Sequence, residues 1–361
     1  MSELQPPASP GPVAPANGTR LTLQGWITLC FALVLCASVS FMVEPGTLYL
    51  GLALLFALLV AAWSVPHRLR GIEAEWLVPP TIHAGTETTL GCRVRAKAGS
   101  APLRVDAFDP AGGLFLPVSE LPGLGRASTR LAWPARFPAR GPLLLPPLLV
   151  RNEQPFGLVE SRRQLGQRRE VLVLPAIGVI QRAFHANLHR WLEQGPTSSA
   201  PGDEEISHLR AYRQGDPIHR IHWRASARLR TLLVAQRNAP ACRHVALVLD
   251  SADPRPRSLR FERLVCVAAT LVDHLAGSGW QVTLHGPAFP EAVTGERRDL
   301  LERLATVGTT QPTPLRPHLP PGALCLVLTA RARLDLRSGG RVEVLTLRDA
   351  LTFIKLPRLR R

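Results

Sequence analysis

Two uncharged apolar runs, Trp26 to Val43 and Leu48 to Val65, constrain this 361-residue chain more than any other feature. Each is about 18 residues long, the minimum that crosses ~30 Å of hydrocarbon as a helix rising 1.5 Å per residue. Only Glu44-Pro45-Gly46-Thr47 separates them, a turn-forming tetrapeptide carrying the one charge of the region. Lipid cannot hydrogen-bond an irregular backbone, so two spans joined this tightly must form an antiparallel hairpin. A secretory signal fits poorly, because the first run has no basic leader and a second run follows at once. A helical hairpin buried in a soluble core would normally carry charge along one face, and neither run does.

Flanking charge orients the hairpin. Arg20 precedes it, His67, Arg68 and Arg70 follow it, and the connecting turn has only Glu44. The positive-inside rule then places both termini in the cytoplasm, making this a two-pass membrane protein. Trp26, Tyr49 and Trp63 fall near the expected interfaces, where amphipathic aromatic rings collect. The six cysteines, Cys30, Cys36, Cys92, Cys242, Cys266 and Cys325, are scattered singly. That usage suits a reduced compartment and supplies neither a disulfide framework nor a zinc site.

The formal net charge is +16, nearly all of it from arginine. Such a surface can meet anionic lipid headgroups, and the hairpin makes the bilayer the nearest partner. No nucleic-acid-binding module and no basic stripe interleaved with aromatics is present, so no nucleic acid is expected.

Around the hairpin the chain changes character several times. Residues 1–25 are rich in Pro, Ala and Gly and read as a disordered tail before the hairpin of residues 26–65. Residues 72–175 carry short alternating runs split by Pro and Gly, such as Thr88 to Arg95, Leu103 to Phe108, Arg130 to Trp133 and Glu170 to Leu174. This is the pattern of a small all-β, sandwich-like domain, expected to serve as a structural stalk. Residues 176–202 form a loop-rich connector. From residue 203 to 361 strands alternate with helices: His244 to Leu249 reads as a buried parallel strand. A helix capped by Ser258 follows, with Phe261, Leu264, Val265, Ala268, Leu271, Val272 and Leu275 on one face and a stop at Gly277. The expected class for this part is α/β, a parallel sheet with helices on both faces.

The densest unusual segment runs from Asp203 to Gln236. Its Glu205, Arg210, Tyr212, Gly215, Asp216, Arg220, Ile221, Trp223, Ala227 and Arg228 match a Glu-rich lead, then Arg-x-Tyr-x-x-Gly-Asp, then Arg-x-Ile-x-Trp-x-x-x-Ala-Arg. With Pro155-Phe156-Gly157-Leu158 and the two N-terminal spans, this pattern resembles the bacterial "domain of unknown function 58" family. The resemblance covers most of the chain. It implies a von Willebrand factor A-like domain after the signature, and a functional link to MoxR-type AAA+ ATPases and transglutaminase-like membrane proteins.

Physically the signature reads as an ordered polar network. Gly215-Asp216-Pro217 makes a turn whose Asp216 can accept a bidentate arginine, with Arg220 and Arg228 the expected partners. Arg220, Arg224 and Arg228 recur every four residues and would share a face if helical. The same segment is an alternative docking surface for an acidic partner. No nucleophile, base and orienting group occur together, so an enzyme is not expected. His208, His219 and His222 lack metal-ligand spacing and a completing cysteine.

A von Willebrand A-type domain holds Mg²⁺ with Asp-x-Ser-x-Ser after its first strand. Here Asp250-Ser251-Ala252-Asp253-Pro254 keeps the aspartate and loses both serines. Asp250 is the remaining candidate ligand in a degenerate motif, and no cofactor is assigned. Together with what the resemblance implies, the sequence favours a membrane-anchored adaptor of the bacterial inner membrane working with a MoxR-type ATPase. The alternatives are a metal-assisted enzyme at the strand-end crevice near Asp250 and a basic membrane-surface module.

Overall fold

A computed structural model of the chain describes residues 17–37, 45–96, 102–123, 128–182, 184–187, 205–213, 221–238, 244–253, 258–289, 291–310, 324–331 and 342–357. The chain divides into two compact units, Met1–Leu174 with Arg358–Arg361, and Pro175–Pro357.

The first unit opens with strand β1 (Gly18–Leu21), then helices α1 (Leu23–Ala37) and α2 (Pro45–Arg68). Nine strands follow: β2 (Ile72–Leu77), β3 (Glu87–Ala96), β4 (Leu103–Asp109), β5 (Leu114–Leu121), β6 (Thr129–Arg136), β7 (Gly141–Leu145), β8 (Leu148–Asn152), β9 (Val159–Leu165) and β10 (Arg169–Val173). All pairing in this unit's sheets is antiparallel: β1-β9-β8-β4-β5, β2-β3-β6, and the ribbon β10-β7. Alternation decides which side chains turn inward. Leu90, Cys92 and Val94 of β3 share one buried cluster with Val105 of β4 and Leu148 and Val150 of β8. Trp76 joins them, its ring 5.7 Å from that of Trp133 and its indole N–H donating to Pro146 O at 3.2 Å.

Two sequence expectations change here. Residues 18–21, assigned to the disordered tail, form β1 on the edge of β9, with Arg20 opposite Glu160. Gly46–Arg68 is the one described helix long and apolar enough to cross a membrane. At 15 residues α1 extends only about 22 Å as described.

The two helices nonetheless pack side by side. A Cβ on Gly51 would lie 2.7 Å from Cys36 Sγ and 3.1 Å from Ala32 O, so α2 approaches α1 through a glycine facing a buried alanine. The base of the pair is seated on the β unit. Ala61 and Val65 of α2 cluster with Val159, Leu158 and Leu21, and Leu69 enters the main core.

The second unit begins with β11 (Val179–Ile180), paired with β19 (Ile354–Lys355), inside what the sequence suggested was a connector. Then come β12 (Glu205–Ala211), α3 (Trp223–Leu229), β13 (Leu233–Asn238), β14 (His244–Leu249) and α4 (Leu259–Gly277). The chain continues through β15 (Gln281–His285), β16 (Val293–Thr294), α5 (Arg297–Thr306), β17 (Leu324–Thr329), β18 (Val342–Thr346) and α6 (Leu347–Phe353). Ser258 caps α4 by accepting from Phe261 N at 3.1 Å, and the apolar stripe from Phe261 to Leu275 is buried.

The von Willebrand A-like fold class, with its parallel sheet and helices on both faces, is not what this unit presents. Most strand pairing in the described chain is antiparallel, β12 with β13 included. The order β16-β15-β14-β17-β18 is a mixed sheet: β14 pairs parallel with β15 and β17, and β17 with β18, but β16 closes one edge antiparallel. The helices do not divide between two faces. α4 packs on β14, β15 and β17, and both α5 and α6 pack against α4. Elements on opposite faces of a sheet stand too far apart to touch through it, so α4, α5 and α6 form one layer. Periodicity reads a buried strand or an amphipathic helix but not the side on which each crossover returns, and that is where the expectation failed.

Candidate functional site

The signature folds as a strand, helix and strand on one element. β12 and β13 pair antiparallel with Arg210 opposite Val234 and Ala211 opposite Leu233. Past β12, Tyr212 N donates to Leu232 O at 2.8 Å. The chain re-enters at Ile221, which bridges to Val234, and His222 N donates to Leu233 O at 2.9 Å. Ser226, buried on α3, accepts from Leu233 N at 2.9 Å and ties the helix to the ribbon. The His222 ring nitrogen accepts from Ala225 N at 3.2 Å, so this histidine caps α3.

Arg210, Tyr212, Trp223 and Arg228 therefore meet on one small element. Gly215, Asp216, Arg220 and His219 lie outside the described residues, as do the side chain of His208 and the expected pairing of Asp216 with an arginine. Arg224 and Arg228, four apart on α3, are both exposed and share a basic face. Trp223 is 61% exposed, and Leu229 and Leu232 beside it are exposed as well. The sequence placed Trp223 within a polar network, whereas its indole belongs to an outward surface of mixed apolar and basic character.

The strand-end motif is built differently from a cation site. Asp250 is buried at the end of β14. One carboxylate oxygen accepts from Thr329 Oγ1 at 2.7 Å, and the other accepts from Arg331 Nη2 at 3.1 Å and Ala252 N at 3.3 Å. Ser251 turns to Thr310, their hydroxyls 2.8 Å apart, and Ser258 donates to Asp253. The Arg331 guanidinium already supplies a cation to Asp250, and Ala252 and Pro254 offer no hydroxyl. These residues do not fit Mg²⁺. Among the described residues no group of three or more His, Cys, Asp or Glu gathers where a metal could sit.

A cavity of about 960 Å³ opens between β14–β16, the end of α4 and the start of α5. Its lining includes Trp280, Thr283, His285 and Leu300. His285 Nε2 and Thr283 Oγ1 are 3.1 Å apart, and Arg297 at the rim pairs with Asp273. Burial holds His244 below the usual histidine range, which keeps a neutral imidazole on this wall. The cavity is large enough for a small organic molecule. No sequence signal marked it, because its walls come from segments up to about 55 residues apart whose individual residues are ordinary for core and loop positions.

A third locus is the root of the helix pair. Pro155-Phe156-Gly157-Leu158 forms the turn between β8 and β9. Thr22 Oγ1 donates to Gly157 O at 2.6 Å and Thr22 N to Leu158 O at 3.1 Å. A Cβ on Gly25 would fall 2.0 Å from Leu158 O, so only glycine admits this approach of α1 to the turn. Phe156 adopts φ +70° and is 64% exposed. Bulky side chains rarely occupy that left-handed region.

No family model matches the chain, and no curated protein matches it. Among solved structures, a solution structure of the CARDB domain of a Pyrococcus furiosus protein aligns over 26% of this chain and 94% of that one, at 10% identity and a TM-score of 0.18. A score this low carries no fold assignment.

Proposed function

We propose that this chain is a membrane-anchored adaptor that docks an acidic protein partner on the α3 surface. The observation that carries the reading is Trp223, a large aromatic held outward on a short helix whose Arg224 and Arg228 are exposed as well. Tryptophan and arginine dominate the energetics of protein interfaces, and an exposed indole flanked by guanidinium groups suits a partner offering an apolar pocket rimmed by carboxylates. The resemblance of the signature to the "domain of unknown function 58" family makes a MoxR-type AAA+ ATPase the partner to test first. The full chain, purified in detergent, is expected to retain a purified MoxR-type ATPase. W223A and the double variant R224E/R228E should each weaken retention at least tenfold, the scale of a hot-spot truncation. Equal retention by both variants, with unchanged circular dichroism, would remove the reading.

The anchor in this proposal is α2, 23 residues from Gly46 to Arg68 that extend about 34 Å. Its basic end, with His67, Arg68 and Arg70, lies on the cytoplasmic side of a bacterial inner membrane. The strands flanking the helix pair, β1 and β2, belong to the same unit. If α2 crosses, the chain before it must return across the bilayer, because β1 and β2 belong to one unit. A cysteine at position 47 should accordingly react with an impermeant maleimide in intact cells stripped of their outer envelope, and a cysteine at position 130 only after lysis. Labelling of position 130 in intact cells would reverse the orientation.

A further inference from the structure

We infer that a basic cleft at the root of α2 binds the phosphate of an anionic phospholipid headgroup, an inference that rests on the membrane reading above. The cleft, about 570 Å³, is walled by Asn17, Gly18 and Thr19 of the β1 segment, by Pro66, Leu69 and Arg70 where α2 ends, and by Ser161, Arg162 and Arg163 of β9. Among the described residues no carboxylate lines it.

Its three arginines are in different states. Arg162 is spent on Glu160, which accepts from its Nε at 2.8 Å and its Nη2 at 2.7 Å. Arg163 donates one N–H to Leu69 O at 2.9 Å, satisfying a carbonyl just past the end of α2 and leaving the rest of its fork available. Arg70 is exposed, and among the described residues no carboxylate pairs with it. Two guanidinium groups thus line one opening with no counter-anion among the described residues, and planar forked donors of this kind match phosphate oxygens.

The position selects a lipid as the source of that phosphate. Trp63, exposed on α2 and stacked 4.8 Å from His67, marks an interfacial aromatic position. Arg70 follows it by roughly 10 Å of chain rise, and an arginine side chain reaches back from there into a headgroup layer about 5–8 Å deep. At the same end of the helix pair the turn tied to Thr22 presents Phe156, an apolar ring held outward in an unfavourable backbone conformation. A surface that joins uncompensated arginines to an outward aromatic ring beside a spanning helix has the chemistry of the bilayer boundary.

The test uses the full chain in neutral detergent, with lipid retention read by native mass spectrometry. Phosphatidylglycerol should be retained in preference to phosphatidylcholine. R70Q should lower that preference about fivefold, the effect of one arginine near an anionic surface. R130Q, which removes an exposed arginine of β6 outside the cleft, should leave the preference unchanged. Millimolar inorganic phosphate should not displace the lipid. Equal retention of the two lipids, equal loss with R70Q and R130Q, or displacement by inorganic phosphate would each overturn the inference, the last by making the cleft a site for free anions. Flotation with phosphatidylcholine liposomes after alkaline carbonate washing separates the two readings. A chain that floats without preferring the anionic lipid defeats only the cleft, whereas one that fails to float defeats the anchor itself.

Discussion

Single residues set the electrostatics of the first unit. Glu160, 12% exposed, is held below the usual carboxylate range by its hydrogen bond from Arg162, with Arg151 and Arg20 adding to the pull and burial opposing it. A carboxylate depressed on folding stabilises the native state above its unfolded value, near 4.3, and that stabilisation is lost as pH falls through the lower folded value. Denaturant titrations of E160Q should therefore show a loss of about 2 kcal/mol at pH 7, shrinking at pH values below the folded pKa, where wild type is protonated too. Asp106 is the opposite case: its side chain is fully buried, and burial raises its pKa although Arg151 and Arg104 draw it down. D106A removes the buried carboxylate but leaves Arg151 paired with Glu160 and Arg104 with Glu120, and should cost about 1–3 kcal/mol. Burial pushes the Cys92 and Cys325 thiols up to about 12, so neither should alkylate at pH 8 until the chain unfolds.

At the level of elements, the helix pair depends on two glycines that the sequence alone does not distinguish from any others. Gly25 lies against the backbone oxygen of Leu158, so G25V must lift α1 from the β8–β9 turn. Overpacking of this kind costs about 1–3 kcal/mol, and limited proteolysis should find the Pro155–Leu158 turn cut faster in G25V than in wild type. Gly51 faces the flexible end of Cys36 as well as Ala32 O, and a smaller effect is expected for G51A. In the second unit Asp250 belongs to a strand-end network with Thr329 and Arg331. Titration with Mg²⁺ should produce no saturable heat, and heat abolished by D250N would restore the metal reading.

Across the whole molecule, legibility followed the range of the interactions involved. Thr88 to Arg95, Leu103 to Phe108 and Arg130 to Trp133 lie on β3, β4 and β6, and Glu170 to Leu174 runs one residue past β10, because alternation and turn residues are local signals. Ser258 was readable as a cap for the same reason. The pairing of β1 with β9 was not, since it joins residues about 140 apart across a segment whose composition reads as tail. Of the signature, the four-residue spacing of Arg224 and Arg228 left open a shared helical face or separate loop contacts, and α3 supplies the helix. Spacing could not indicate that the Trp223 indole turns outward, which depends on which face of α3 Ser226 pins to β13.

What the sequence by itself determined is an apolar stretch long enough to cross a bilayer, strands and helices with identifiable ends, and an arginine-rich signature whose chemistry favours carboxylate partners. Only the tertiary structure decided that the described strands pair mostly antiparallel, that α4, α5 and α6 share one layer, and that Arg331 donates to Asp250. It also decided that Arg70 and Arg163 face one cleft while Glu160 neutralises Arg162. The physical reason is the same throughout. Period and capping depend on neighbours a few residues away, whereas strand direction, face and charge compensation depend on which distant segments meet, and chain closure over those distances leaves little trace in local composition.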